Sequence, residues 1–306
     1  MTDRGQLRIG LVGYGEVGKI LGRALLERRV AWVGTWDRLL GEPAQAPAMR
    51  AHATGAGVAP MGSLAALLEQ AEVVISAVTA SQAHAVAVEA ARAIRPETWF
   101  VDLNSASPGT KADSGRLIDG AGGRFVESAV MTSVPPYGIK VPMLLGGVHA
   151  TALRDLLVPL GFRMEVVADR VGVASAIKMC RSIMIKGLEA IVVESLTTAR
   201  RYGVEAQVLA SLQETFPTLD WEQQGAYLFS RVAQHGKRRA EEMREVAVTV
   251  REAGLEPHMA AATAERQDWV AGLKSAAGLG DVAKDANWRE YADRLLRCLE
   301  RAPQDA

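Results

Sequence analysis

Cysteine is scarce: Cys180 and Cys298 are the only two in 306 residues. Neither has the partner spacing of a metal site, and no secretory signal precedes them, so a reduced, cytoplasmic protein is expected. Net charge is missing too. Lys and Arg total 35, as do Asp and Glu, so no global field attracts nucleic acid or an anionic membrane. The local basic run Lys237–Arg238–Arg239 reads as a wet helix face. Long apolar runs are absent: none approaches the roughly 18 residues that a membrane span needs. The polar N-terminus passes directly into a structural motif. What remains is an ordinary globular composition with length for two domains and a sizeable core.

The first apolar run, Leu7 to Val12, is too short for a helix and suits a buried parallel strand. Gly13-Tyr14-Gly15-Glu16-Val17-Gly18 follows, then a helical pattern through Leu26. This is the G-x-G-x-x-G dinucleotide fingerprint in its required place, after a strand and opening a helix. The first glycine makes the tight turn and the second lets a pyrophosphate approach the backbone. The third allows close helix–strand packing, and the helix start offers free N–H groups to the anion. Ala31 to Trp36 is the second strand, ending at Asp37, where a carboxylate that binds the adenosine ribose belongs. Asp37 favours NAD by repelling a 2′-phosphate, while Arg38 keeps NADP open.

The alternation continues. Short strands are expected at 58–60, 73–78, 99–103, 124–130, 143–145 and 163–167. Ser63 is placed to cap the helix that runs to Gln70, and Ser107-Pro108 to start another. Strand carboxyl ends carry ligands in open α/β sheets, so Val78, Thr79, Asn104 and Ser105 are cofactor-side candidates, Asn104 and Ser105 also for substrate. Residues 131–138 form a rigid irregular loop, marked by Pro135-Pro136 and Tyr137-Gly138.

A different pattern begins at Gly172. Through Arg201 it reads as one long helix, with Ile177, Cys180, Ile183, Met184, Leu188, Ile191, Val192 and Leu196 as its apolar stripe and Cys180 as a small buried hydrophobe. Lys178, Ser182 and Lys186 are spaced to share one face. The bland reading pairs them with Glu189 and Glu194; the sharper one holds a lysine at a cleft. Helices follow at 204–214, from Trp221 to Gly254, from Pro257 to Leu273 and at 287–299. His235, Arg238, Arg239 and Glu242 lie at helical spacing in the longest and read as a surface or satisfied polar group. The expected fold is α/β: a Rossmann domain over 1–168, then an all-α domain over 169–306 joined by the long helix. Its long apolar helix faces imply a homodimer.

Taken together, these motifs resemble the β-hydroxyacid dehydrogenases, which include 6-phosphogluconate, 3-hydroxyisobutyrate and tartronate-semialdehyde enzymes. The resemblance spans nearly the whole chain. It is carried by the fingerprint, Asp37, Asp102 to Lys111 (DLNSASPGTK), Val134 to Pro142 (VPPYGIKVP), Gly172-x5-Lys178 and the segment from Arg239 to Trp269. The nearest branch has a C-terminal domain of unassigned role.

The resemblance implies an NAD(P)-dependent oxidoreductase acting on a small hydroxy acid or its oxo form, with Lys178 as general acid–base. The family's substrate asparagine falls on Ser182, preceded by Arg181, and its D-x-S-T turn on Asn104 and Ser105. Its substrate loop D-x-P-V-S-G-G falls on 127–133, where only the acidic character of Glu127 and the valine survive. Thr132, Ser133 and Tyr137 join Ser182 and Lys186 as substrate candidates. The cofactor side and the lysine persist while the substrate side is rewritten.

An unperturbed lysine is almost fully protonated at neutral pH. Burial and a positively charged nicotinamide would both favour its neutral form, letting Lys178 take a hydroxyl proton or return one to a carbonyl. Two rivals stand. Imine reductases on this scaffold generally replace the lysine, so Lys178 counts against that activity. A non-catalytic dinucleotide-binding protein is favoured by the altered loop at 131–133 and by Ser182.

Overall fold

The computed structural model describes residues 6–283 and 285–301. The chain forms two compact units, the first ending at Met179 and the second beginning at Cys180, within one helix. The sequence places the boundary earlier, at the end of the last strand.

The first unit is an eight-stranded sheet in the order β3-β2-β1-β4-β5-β6-β7-β8. Its strands are β1 (Arg8–Val12), β2 (Trp32–Trp36), β3 (Ala59–Pro60), β4 (Val73–Ser76), β5 (Trp99–Asp102), β6 (Arg124–Val130), β7 (Pro142–Gly146) and β8 (Arg163–Ala168). Neighbours are parallel except β6 and β7. The strand order reverses between β1 and β4, which opens a crevice at the carboxyl edge.

Successive strand residues point to opposite faces, and both faces are covered. Ile9, Leu11, Val73, Ile75, Val101 and Val126 pack on one side with Leu21 and Leu25 of α1 (Glu16–Glu27) and Leu153 and Leu157 of α6 (Ala150–Leu157). Val74, Phe100 and Phe125 pack on the other. There they meet α3 (Leu64–Gln70), α4 (Ala83–Ala91) and α5 (Pro108–Gly120), through Leu67, Val86 and Ile118 among others. The small helix α2 (Ala46–Gly55) lies between β2 and β3 in sequence. Local capping chemistry is as expected: Ser63 accepts from the Ala66 N–H and Ser107 from the Thr110 N–H. Because β7 runs antiparallel to β6, the connection 131–141 stays at the carboxyl edge of the sheet.

The second unit is all-helical. It takes α7 (Val173–Tyr202) from Cys180 onward, then α8 (Glu205–Thr215), α9 (Trp221–Glu252), α10 (His258–Leu273) and α11 (Trp288–Arg301). Val193 and Leu196 of α7, Phe229 and Val232 of α9, and Trp288, Tyr291 and Leu295 of α11 form its core. α9 and α10 approach closely at Gly236, where a Cβ would lie 2.7 Å from the Gln267 carbonyl oxygen. Among the described residues, no helix is long and apolar enough to cross a membrane.

The stripe expected on α7 is corrected. Val192 and Leu196 are buried, but Ile177, Cys180, Met184, Leu188 and Ile191 are exposed and Ile183 is half-buried. The buried line instead runs through Met179, Ser182, Lys186, Glu189, Val193 and Leu196. Apolar periodicity assumes that polar residues face water. Here the polar residues pair with one another across helices, so a charged line can turn inward.

Candidate functional site

At the end of β1 the fingerprint makes its turn. Gly13 has φ +94, and a Cβ there would lie 2.4 Å from the Ala77 carbonyl oxygen. A Cβ at Gly18 would lie 2.2 Å from the Gly13 oxygen, whereas at Gly15 it would meet nothing within 4 Å. Gly13 and Gly18 are therefore required by the fold, and Gly15 leaves an open approach to the backbone. α1 starts after Gly15 without a side-chain cap, so the first N–H groups, from Glu16 and Val17, are not taken by one.

Asp37 secures this loop from β2. Its Oδ2 accepts from the Tyr14 N–H at 2.8 Å and its Oδ1 from the Leu39 N–H at 2.9 Å. The Tyr14 ring is buried, its hydroxyl 3.3 Å from His52 Nδ1, and burial pushes the phenol up. Tyr14 thus brings its backbone to the loop and its ring to the core. Arg38 is exposed.

The ends of β4 and β5 are tied by Asn104. Its Oδ1 accepts from the Val78 N–H at 2.7 Å, and its Nδ2 donates to Ser76 Oγ at 3.0 Å. Asn104 is buried and shapes the edge, while Thr79 is exposed beyond it. Beneath lies a pair not foreseen from sequence: Lys111 Nζ sits 3.0 Å from Asp102 Oδ1 and donates to the Asp102 carbonyl at 2.8 Å, both side chains almost fully buried. Asp102 Oδ1 also accepts from the Asn104 N–H at 2.9 Å.

Next to Asn104, Ser105 Oγ accepts from Lys178 Nζ at 2.7 Å. The structure thus brings together two residues 73 positions apart that the sequence singles out separately. Lys178 follows the start of α7, which is held by a second unforeseen residue, Glu127 of β6. Its Oε1 accepts from the N–H groups of Gly172 (2.6 Å) and Ala174 (3.1 Å). Its Oε2 accepts from the Ser175 N–H (3.2 Å) and Ser175 Oγ (2.7 Å). The sequence signal was an acid inside the apolar run RFVESAV. In the loop after β6, Thr132 and Tyr137 are exposed and Ser133 is half-buried.

In the second unit Ser182 and Lys186 belong to a buried polar layer. Lys186 Nζ donates to Ser182 Oγ at 3.0 Å and pairs with Glu242 Oε2 at 3.1 Å. Arg238 also pairs with Glu242. Glu189 Oε2 meets the Arg239 guanidinium at 3.1 Å and accepts from Gln267 Nε2 at 3.2 Å. Glu194 pairs with Arg266, while Glu189 acts on Lys186 through its charge and the salt bridge of Lys186 is to Glu242. Burial pushes the Lys186 amine down and the Glu189 carboxyl up in spite of these partners. Burial and the neighbouring Arg231, Arg238, Arg239 and Lys274 push His235 down to about 4. Among the described residues, no cluster of three metal-ligating side chains occurs.

Residues 199–270 match a domain of unknown function, DUF1932. An uncharacterised 28.5 kDa protein from the 7S RNA 5′ region of Methanothermus fervidus is 31% identical over 209 residues, 68% of this chain and 77% of that protein. A conserved hypothetical protein from Sinorhizobium meliloti 1021 is 38% identical, with a TM-score of 0.76 over 96% of this chain and 97% of its own. A conserved protein of unknown function, reported as structurally similar to 3-hydroxyacid dehydrogenases, is 33% identical, with a TM-score of 0.68 over 88% of this chain and 98% of its own. With this kinship, its sheet order and its helical second unit, the chain belongs to the β-hydroxyacid-dehydrogenase-like family, in the branch whose C-terminal part carries that domain of unknown function.

Proposed function

We propose that the chain is an NAD(P)-dependent oxidoreductase interconverting a small hydroxy acid and its oxo form, with Lys178 as general acid–base. The observation that carries this reading is the 2.7 Å hydrogen bond from Lys178 Nζ to Ser105 Oγ. It holds an amine against the carboxyl-edge loop of a sheet whose glycine turn fits a dinucleotide.

The open approach at Gly15 and the uncapped start of α1 suit a pyrophosphate, and Val78, Thr79 and Asn104 line the same edge. Asp37 supports NAD, because a carboxylate there receives ribose hydroxyls and repels a 2′-phosphate. The exposed Arg38 is the residue through which NADP would be accepted. The nicotinamide ring supplies the hydride acceptor in one direction and the donor in the other. In oxidation, neutral Lys178 takes the substrate hydroxyl proton as the hydride leaves carbon. In reduction, its ammonium returns that proton to the carbonyl oxygen. Ser105, accepting one amine N–H, aims the lysine and keeps its own O–H for a substrate oxygen. Thr132, Ser133 and Tyr137 are proposed to select the acid. Ser182 and Lys186 are weaker candidates, since their polar atoms are already paired.

The test is NADH fluorescence with a panel of small hydroxy acids, sugar acids and cyclic imines. Lys178→Ala is expected to bind NADH normally and lose about 10²–10⁴-fold in turnover. Turnover that survives the substitution overturns the role of Lys178. Activity confined to the imines makes the chain an imine reductase.

We also propose that the chain is a homodimer. Met184, Leu188 and Ile191 form an exposed apolar line along α7, a surface that a second copy would cover. Light scattering at micromolar concentration is expected to give twice the chain mass, and a monomer removes the proposal.

A further inference from the structure

A helix normally receives its first free N–H groups with a side chain close in sequence. α7 does not: its start is closed by Glu127, a residue of β6 that lies 45 positions before Gly172. The carboxylate is fully buried, and four donors meet its two oxygens. Three of the four are backbone N–H groups at the positive end of a helix, donors whose direction is fixed by the main chain.

The arrangement also has direction. Ser175 is held twice, through its N–H and its hydroxyl. Lys178 lies three residues later, on the same face of the helix and one turn on. A rotation of α7 by about 20° would move a group at its outer radius of ~5–6 Å by about 2 Å. That is enough to break a 2.7 Å contact with Ser105. Room for the carboxylate is reserved across the sheet. Gly146 faces Glu127 in the β6–β7 pair, and a Cβ there would lie 2.4 Å from Glu127 Oε1.

We propose that Glu127 is a positioning residue for Lys178: by clamping the first turn of α7 to β6 it sets where the lysine amine stands. The inference rests on the reading of Lys178 as the acid–base group, and its test does not depend on turnover.

The test is lysine labelling of the full chain by formaldehyde and borane, followed by mass spectrometry across a pH series, with exposed Lys19 as internal reference. Glu127→Gln keeps shape but turns two acceptor positions into a donor group. Gly146→Ala displaces the same carboxylate without changing it. Both are expected to change the Lys178 labelling rate relative to Lys19 by about threefold or more, because only the free amine reacts and its fraction follows its surroundings. NADH affinity should stay within about twofold, since the glycine turn is untouched. Ser175→Ala, which removes one donor, gives the same shift in smaller measure and serves if the other two fail to fold. An unchanged labelling profile in the variants that fold, with a lowered Tm, makes Glu127 a stability cap and overturns the proposal. Turnover surviving in Lys178→Ala would instead remove the acid–base role and leave the labelling result to decide the clamp.

Discussion

In the first unit, Asp102 and Glu127 are closed off mainly by groups fixed to the backbone: N–H donors, one hydroxyl and one lysine that also binds a main-chain carbonyl. In the second unit, Lys186 and Glu189 of α7 meet Glu242 and Arg239 of α9 side chain to side chain, and Gln267 of α10 joins them at Glu189. That layer is less complete: among the described residues, Arg239 Nε and Gln267 Oε1 are buried without a hydrogen-bond partner. Backbone donors arrive already ordered by strand or helix, so a carboxylate there acts as a fastener of main chain. Long side chains must lose rotamer freedom to meet, and burial resists their charge as they do. The first arrangement sets geometry. The second holds helices together with some charge energy unrecovered.

The sharpest way to break this contrast is Lys111→Met, which leaves the Asp102 carboxylate buried beside one N–H. A loss of about 3–5 kcal/mol in urea unfolding is expected. A loss well below this would mean that the backbone alone sustains Asp102. The matching change in the second unit is Arg239→Met. Burial already pushes the Glu189 carboxyl up, so it can answer the loss of its cation by taking a proton, and the expected cost is smaller, about 2 kcal/mol. Adding Glu189→Met should recover most of that loss, because a buried pair is often replaceable by packed apolar groups. Additive losses would show that the layer is as firmly built as the first unit's pairs.

The smallest effect concerns His235. Held down to about 4 in the native chain, it stays neutral there until near that pH, whereas the unfolded chain takes up a proton below about 6.5. Between these values the unfolded state binds more protons, so stability falls as pH drops through the window. His235→Gln should flatten the dependence of Tm on pH over that range, and an unaltered slope removes His235 as its source.

What could be read from sequence was mostly local. Gly13 and Gly18 act within one turn, and Ser63 and Ser107 as caps within three residues of their donors. Lys178 and Ser105 were each legible from their motifs, though not their contact. Glu127 was not legible as a clamp, because its role exists only once β6 lies beside the start of α7. The line on α7 failed for a related reason. Met184 and Leu188 look like core by hydrophobicity, and Lys186 and Glu189 look like surface, until the partners Glu242 and Arg239 are supplied by α9, 56 and 50 residues downstream. Cys180 was misplaced with that line and is exposed.

The absent side chain at Gly146 links two positions that no motif connects. The carboxylate of Glu127 occupies the volume that a methyl group at 146 would take. A chain carrying alanine there would have to shorten the acid opposite or lose its hold on α7. The two sites should therefore change as a pair, and a swap at either alone would register first as a displaced lysine rather than as a weakened sheet.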